Sequence, residues 1–506
     1  MSTTADDLTT ANATPTATAT VSAAIASQAL AKMKAVRVAQ QAWAQTSVAQ
    51  RAQKLLEAGH ALLAEADELA ALLSEETGKP LAESYSSEVL GVADLFAYWC
   101  KHGPAMLKPR KGLIPKLEMP GKRAQVERVP RGVIVCISPW NYPVSLPMRT
   151  IVPALLAGNG VVLKPSEATP RTGTWLVERL RRSLGGVIDI LEGDGAAGAA
   201  LVQALPDQVI FTGSTRTGRR VAVACAERGI VCELELGGKD CAVVLEDCNL
   251  ERTATGIAWG ILTNAGQNCS GIERVAVHSA IAERFLPLLQ KAMETAASDV
   301  PGLVTPMQRQ IVEEHLKAAI AAGGIVLTGG LGEPGKPLPP TLVRDVPADC
   351  PAWRQETFGP MAVVAIGRSD EELIALANDT QYGLGASVWS EDLTRAELVA
   401  HRVRSGMVWI NNHSFTGALP DLPWVGLGDS GTGVTNSPEA IAHMTRPRLV
   451  VVDSVRSIEP WWYPYGPAMV ELMRTLIARQ RTGGLVATWN TLQLLKKRTK
   501  ELQGHG

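Results

Sequence analysis

Short apolar runs punctuated by glycine and proline recur from Gly132 to Ile410 and restrict this chain to a layered α/β architecture. The first series is Gly132-Val-Ile-Val-Cys-Ile137, Gly160-Val-Val-Leu163, Val187-Ile-Asp-Ile-Leu191 and Gln208-Val-Ile-Phe211. A second follows Glu235: Ala242-Val-Val-Leu245, Arg274-Val-Ala-Val-His278, Gly324-Ile-Val-Leu327, Ala362-Val-Val-Ala-Ile366 and Met407-Val-Trp-Ile410. Runs this apolar suit strands buried on both faces, with the helical segments between them as crossovers of parallel βαβ units. Two α/β domains are expected to meet near residues 236–240.

At 506 residues the chain exceeds one compact core, so two or three domains are expected. Residues 1–20 are almost all Thr, Ala, Ser and Asp and read as a disordered segment. Ala24 to about Leu73 reads as helix, with Gly59 suited to a C-terminal stop; residues 81–108 read as helix again. A net charge of −1 argues against a nucleic-acid partner. Eight cysteines without any C-x-x-C spacing argue against a metal site and suit a reducing cytoplasm.

The literal G-x-G-x-x-G at Gly193-Asp-Gly-Ala-Ala-Gly198 has no acid in the expected region before Glu227, so turn geometry explains its glycines sufficiently. A better acid is in Leu163-Lys-Pro-Ser-Glu167, which closes a predicted strand. There Glu167 can accept from both ribose hydroxyls and repel a 2′-phosphate, and Lys164 can donate to the same sugar. Phe211-Thr-Gly-Ser-Thr215 opens the next helix, where Ser214 and backbone N–H groups could hold a phosphate. The plainer alternatives are a charged strand end and an ordinary helix cap.

Cys269 in Gly266-Gln-Asn-Cys269 can attack a carbonyl carbon, and Glu235 in Glu235-Leu-Gly-Gly-Lys239 can activate water against the resulting thioester. Asn141, in Ser138-Pro-Trp-Asn-Tyr-Pro143, can donate to an oxyanion, as can the Cys269 N–H. The plainer readings are a buried free cysteine, an ion-paired glutamate and a turn-forming asparagine.

Taken in order, Pro139-Trp-Asn-Tyr-Pro143, Lys164-Pro-Ser-Glu167, Phe211-Thr-Gly-Ser-Thr215, Glu235-Leu-Gly-Gly-Lys239, Gly266-Gln-Asn-Cys269 and Glu356-Thr-Phe-Gly-Pro360 resemble the motifs of the aldehyde dehydrogenase superfamily. The similarity spans roughly residues 24–453. It implies a Rossmann-like dinucleotide-binding domain (21–113 and 131–237), an α/β catalytic domain (238–431) and a small β oligomerisation element (114–130 and 432–455), with 456–506 as a C-terminal extension. It implies NAD as cofactor, with NADP the alternative, held by Trp140, Lys164, Glu167 and Gly195, by Gly213 and Ser214, and by Glu356 and Phe358. It implies oxidation of an aldehyde to its acid through a Cys269 thiohemiacetal and a thioester hydrolysed by Glu235-activated water, in a cytoplasmic homodimer or homotetramer. A catalytically silent structural relative is the competing class.

Arg149 stands where succinate-semialdehyde dehydrogenases carry a carboxylate-binding Arg, although Thr263 replaces their second one. Phe415 is the candidate apolar wall of the substrate tunnel, whereas Trp259 reads as core. The basic, aromatic tail begins at Pro460-Trp-Trp-Tyr-Pro-Tyr465 and continues through a helix, a Gly483-Gly484 break and Leu492-Gln-Leu-Leu-Lys-Lys-Arg498. Its aromatics are expected to pack on the body or a partner, with a membrane-surface helix the competing reading.

Overall fold

The first apolar series forms a five-stranded sheet: β1 (Val133–Ile137), β2 (Gly160–Lys164), β3 (Ile188–Ile190), β4 (Gln208–Thr212) and β5 (Val231–Glu235). Its order is β3-β2-β1-β4-β5, with every pairing parallel, the doubly wound Rossmann-like arrangement. Every residue of β1 and β2 is buried, as their unbroken apolar character requires.

The chain then enters a seven-stranded sheet: β6 (Asp240–Val244), β7 (Ile272–His278), β8 (Ile325–Thr328), β9 (Thr341–Arg344), β10 (Met361–Gly367), β11 (Gly385–Trp389) and β12 (Met407–Ile410). Its order is β8-β9-β10-β7-β6-β11-β12, parallel except for the β8–β9 pair. Three strands, β5, β9 and β11, fall outside the apolar runs. β5, Val-Cys-Glu-Leu-Glu, is an edge strand exposed at Val231 and buried from Glu233 on, so two buried carboxylates interrupt its apolar character.

This computed structural model describes residues 21–116, 119–482 and 485–504. The N-terminal segment 1–20, expected to be disordered, and the Gly483-Gly484 break lie outside the described residues. The chain divides into two compact units: residues up to Lys108 with Arg128–Pro447, and Pro109–Glu127 with the residues from Arg448 on. The second holds most of a three-stranded sheet, Arg110–Gly112, Lys122–Pro130 and Thr445–Asp453, and two helices, Pro467–Thr482 and Leu485–Gln503, packed on each other. Among the described residues no helix is long and apolar enough to cross a membrane.

Gly59 does not stop a helix. The helix Val48–Leu63 runs through it, and a Cβ there would meet the Phe96 ring at 2.6 Å. The glycine allows the helix Leu90–Met106 to approach closely, a need that leaves no trace in local sequence.

A buried cation ties the second sheet to its covering helix. Arg274 on β7 donates from Nε to the Lys239 carbonyl (2.9 Å), from Nη1 to the Leu376 carbonyl (2.9 Å) and from Nη2 to the Ala377 carbonyl (2.8 Å). The last two lie in the final turn of helix Asp370–Asn378, where the Leu376 carbonyl also accepts the Asp379 N–H, so the guanidinium caps it. Arg274→Met should therefore cost about 3 kcal/mol or more, as several buried acceptors lose their donor together. Urea unfolding checks this, and a loss under about 1 kcal/mol would contradict the capping role.

Candidate active site

In open parallel sheets, ligands gather beyond the strand C-termini where the strand order reverses, here between β1 and β4. The tip of β1 continues into Ser138-Pro-Trp-Asn-Tyr-Pro143, and Ser138 N–H donates to the Lys164 carbonyl at 3.0 Å. The tip of β4 carries Gly213 and Ser214. Gly213 N–H donates to the Glu235 carbonyl at 3.0 Å, and Ser214 caps helix Thr215–Ala226. The start of helix Gly195–Gln203 differs: Asp194 caps it with a carboxylate, and Gly195 lies exposed there. A negative cap disfavours an anion, so the Ser214 helix is the better phosphate cradle.

At the tip of β2, Lys164 Nζ donates to Glu167 Oε2 at 2.9 Å. Burial pushes the Glu167 carboxyl up, but its own backbone N–H and Lys164 outweigh that and hold it below the usual value. It remains an exposed anion.

Cys269 follows a turn of unusual hand. Asn264 and Ala265 have φ of 53° and 55°, and Gly266 has φ of 73°. A Cβ on Gly266 would lie 2.1 Å from the Gly359 carbonyl oxygen, so only glycine fits there. The strain is held by the Asn264 side chain, whose Nδ2 donates to the Asn141 and Gln267 carbonyls at 3.0 Å each. Asn141 is buried and donates from Nδ2 to the Gln267 carbonyl at 3.0 Å, which leaves its second amide proton for another acceptor. The loop of Asn141 and the loop of Cys269 are thus bonded directly.

The Cys269 thiol is half-buried and opens onto a cavity of about 1310 Å³. Burial pushes it up to about 12, with Arg149 opposing. Glu235, at the end of β5, is buried and its Oε1 has no hydrogen-bond partner. Burial raises its carboxyl well above the usual range, Glu233 adds to this and Arg149 opposes it. Backbone bonds from Thr432 and Gly433 N–H to the Leu234 carbonyl, 2.9 Å each, hold the glycine-rich loop against this strand end.

Arg149 lines the cavity with its guanidinium over the Trp424 ring, 5.3 Å from the centroid. Among the described residues no carboxylate lies within ion-pair distance of it. Leu95, Leu146, Leu262, Trp259 and Phe415 supply apolar wall. Trp259, expected in the core, is half exposed at that wall instead. Ser414 Oγ lies 2.6 Å from Ser270 Oγ, and His413 Nε2 lies 2.6 Å from the Ser270 carbonyl oxygen. The Phe415 loop is therefore pinned to the residue after the thiol.

Glu356 accepts from Gly238 N–H at 3.1 Å, and a Cβ on Gly237 would lie 2.3 Å from its carboxylate oxygens. Burial raises Glu356 to about 8, with Glu273 adding to the effect. Phe358, at φ 54°, meets Trp140 edge to face with centroids 5.5 Å apart.

Two buried ion pairs escaped the sequence reading. Lys79 Nζ donates to Glu88 (2.8 Å) and to the Asn141 carbonyl, while Glu88 accepts from Val144 and Ser145 N–H. Lys239 pairs with Glu273, which accepts from Thr357 and Phe358 N–H at 2.7 Å each. One pair holds the Asn141 loop and the other the Phe358 loop. The only sequence signal was a charged residue in an apolar setting, as at Glu273 in β7.

Fold and site together define an α/β enzyme built around a cavity-facing thiol. The profile of the aldehyde dehydrogenase family matches residues 3–450. The chain is 35% identical over 439 residues to 4,4'-diapolycopene aldehyde oxidase of Methylomonas sp, covering 85% of this chain and 82% of that protein. It is 34% identical to succinate-semialdehyde dehydrogenase [NADP(+)] of Deinococcus radiodurans, covering 81% and 87%. The structure of PnpE in complex with nicotinamide adenine dinucleotide superposes with a TM-score of 0.81 at 34% identity, covering 86% of this chain and 91% of that one. The chain belongs to the aldehyde dehydrogenase family, and it is an oxidoreductase of aldehyde oxidation.

A thiol held near 12 carries little thiolate at neutrality, and that fraction grows tenfold per pH unit. In the free enzyme, iodoacetamide labelling of Cys269, read on its peptide by mass spectrometry, should keep climbing beyond about pH 10. A plateau below about pH 8 would show a thiolate already formed.

Proposed function

We propose that Cys269 is the nucleophile, Asn141 and the Cys269 N–H the oxyanion donors, and Glu235 the base of hydrolysis. The observation that carries this reading is the half-buried thiol facing the cavity, bonded through its loop to Asn141 and close enough to Glu235, whose Oε1 is unpartnered, for that carboxylate to raise the thiol further. Cys269 Sγ forms a bond to the aldehyde carbon as the thiol proton passes to water in the open cavity, and the amide protons hold the oxyanion. When bound, NAD supplies the hydride acceptor that converts this adduct to a thioester. Glu235, in its ionised form, then takes a proton from water as its oxygen attacks the thioester carbon; the C–S bond breaks with its electron pair on sulfur, the sulfur regains the proton, and the carboxylic acid departs.

The residues fit a dinucleotide. Gly237 leaves room beside the Glu356 carboxylate, the Ser214 helix start offers N–H groups, and Trp140 with Phe358 offers an aromatic flank. The exposed Glu167 anion favours NAD over NADP by repelling a 2′-phosphate. Gly195, Gly213 and Lys164 would border the same ligand. The edge strand Thr445–Asp453, with Leu449 and Val451 exposed, supports a homodimer or homotetramer, and eight free thiols support a cytoplasmic location.

For the substrate, the size and apolar wall of the cavity favour a long apolar aldehyde. A second reading, a short ω-carboxylated aldehyde, is favoured by Arg149, a cavity-lining guanidinium without a carboxylate of its own.

Glu235→Gln should retain a stoichiometric burst of reduced cofactor, lose about 10²-fold or more in steady turnover, and accumulate acyl mass on Cys269. Cys269→Ser should lose both phases. A Glu235→Gln enzyme with unchanged turnover would remove Glu235 from the mechanism.

Under the apolar reading, kcat/KM should rise about fourfold per methylene from hexanal to decanal, and Arg149→Met, which removes the charge opposing the rise of the thiol, should lower it by the same factor for every aldehyde. If succinic semialdehyde is preferred, and Arg149→Met costs about 10²-fold on it alone, the carboxylate reading stands instead.

A further inference from the structure

The family match ends at residue 450, yet the chain continues into a built structure. The aromatics of its Trp461-Trp-Tyr-Pro-Tyr465 loop were expected to pack on the body or on a partner, and the body does not cover them. Trp462, Tyr463 and Tyr465 are 55%, 78% and 59% exposed. They are not on a loose tail. The buried Arg498 guanidinium donates to the carbonyls of Pro460 and Trp462 at 3.0 Å each, and to that of Pro464, so the loop is fixed with its rings outward. Rigidly presented aromatics are surface that something else covers.

The two helices continue the pattern. In Pro467–Thr482, Val470, Arg474, Ile477 and Arg481 recur at i, i+4, i+7 and i+11 on one face, all exposed. In Leu485–Gln503, Val486, Trp489, Gln493, Lys496 and Lys500 share one exposed face. Between residues 456 and 504 there are eight Lys or Arg and three Glu, a surplus of five positive charges. Leu472 and Thr491 are fully buried, so the outward residues are not needed to hold the hairpin together.

We propose that this hairpin and its aromatic loop dock on the surface of an anionic lipid bilayer. Trp and Tyr suit the headgroup boundary, with their rings in apolar surroundings and their polar atoms in water. Arg474, Arg481, Lys496 and Lys500 supply the charge that anionic headgroups attract. The helices lie on the bilayer rather than cross it, being too short and too charged to span. A second copy of the chain fits less well, because a two-fold contact would press the basic face against itself. The proposal is independent of the reaction mechanism.

Flotation of the full chain tests it, with vesicles of phosphatidylcholine alone or mixed with phosphatidylglycerol. The chain should float with the mixed vesicles only. Reversing Arg474, Arg481, Lys496 and Lys500 to Glu should weaken binding by about 10²-fold or more, as should Trp462→Ser with Trp489→Ser, while aldehyde turnover persists. The charge-reversed variant alters exposed side chains only, so it reports even if the tryptophan variant misfolds. Failure of the unaltered chain to float with anionic vesicles overturns the proposal. So does charge reversal that dissolves an oligomer in light scattering without changing flotation, since the face would then belong to a second copy.

Discussion

One side-chain amide sits where the site is joined. Asn264 bonds the carbonyls of Asn141 and Gln267 at once, so the tip of the first sheet and the loop of the thiol share a partner. The left-handed turn that brings it there strains Asn264 and Ala265 by about 1–3 kcal/mol each. Two buried hydrogen bonds of about 1 kcal/mol each offset part of this, and packing of the surrounding fold must supply the rest. Without the turn, Cys269 would not follow Gly266 at its close contact with Gly359.

Around that joint, buried charges act as fasteners. Lys79–Glu88 and Lys239–Glu273 are each nearly solvent-free, and a buried pair returns little net stability after desolvation. What each does here is geometric. Both glutamates accept backbone N–H groups from the loops beside the cavity, which fixes Asn141 on one side and Phe358 on the other. The cost is electrostatic: the same low-dielectric interior raises Cys269, Glu235 and Glu356 together. Arg149 opposes both the thiol and Glu235. Burial thus favours the protonated form of both the Cys269 thiol and the Glu235 carboxyl.

Nine strands are legible in the apolar runs because burial on both faces demands unbroken Val, Ile and Leu. Those that lack such runs, β5, β9 and β11, are ordered by neighbours: β11 lies beside β6 through Ala386 opposite Cys241, and β9 beside β10 through Thr341 opposite Met361. The β8–β9 pair is antiparallel, which no pattern within either segment foretells. Gly59 misled for a related reason, since the ring that requires it, Phe96, is far along the chain.

The residues proposed to carry chemistry, Cys269, Glu235 and Asn141, could be nominated from sequence by themselves, because a thiol, a carboxylate and an amide bring their reactivity wherever they stand. So could the strand tips that carry Lys164, Glu167 and Ser214, since strand ends are marked by local turn residues. Tertiary structure alone decided that Asp194 occupies one helix start while Ser214 offers another, that Trp259 lines a cavity, and that Lys79 and Glu273 hold loops remote in sequence. Local patterns record what a residue is and which face it presents. Partners brought together from distant segments, and the dielectric they create, exist only once the chain has closed.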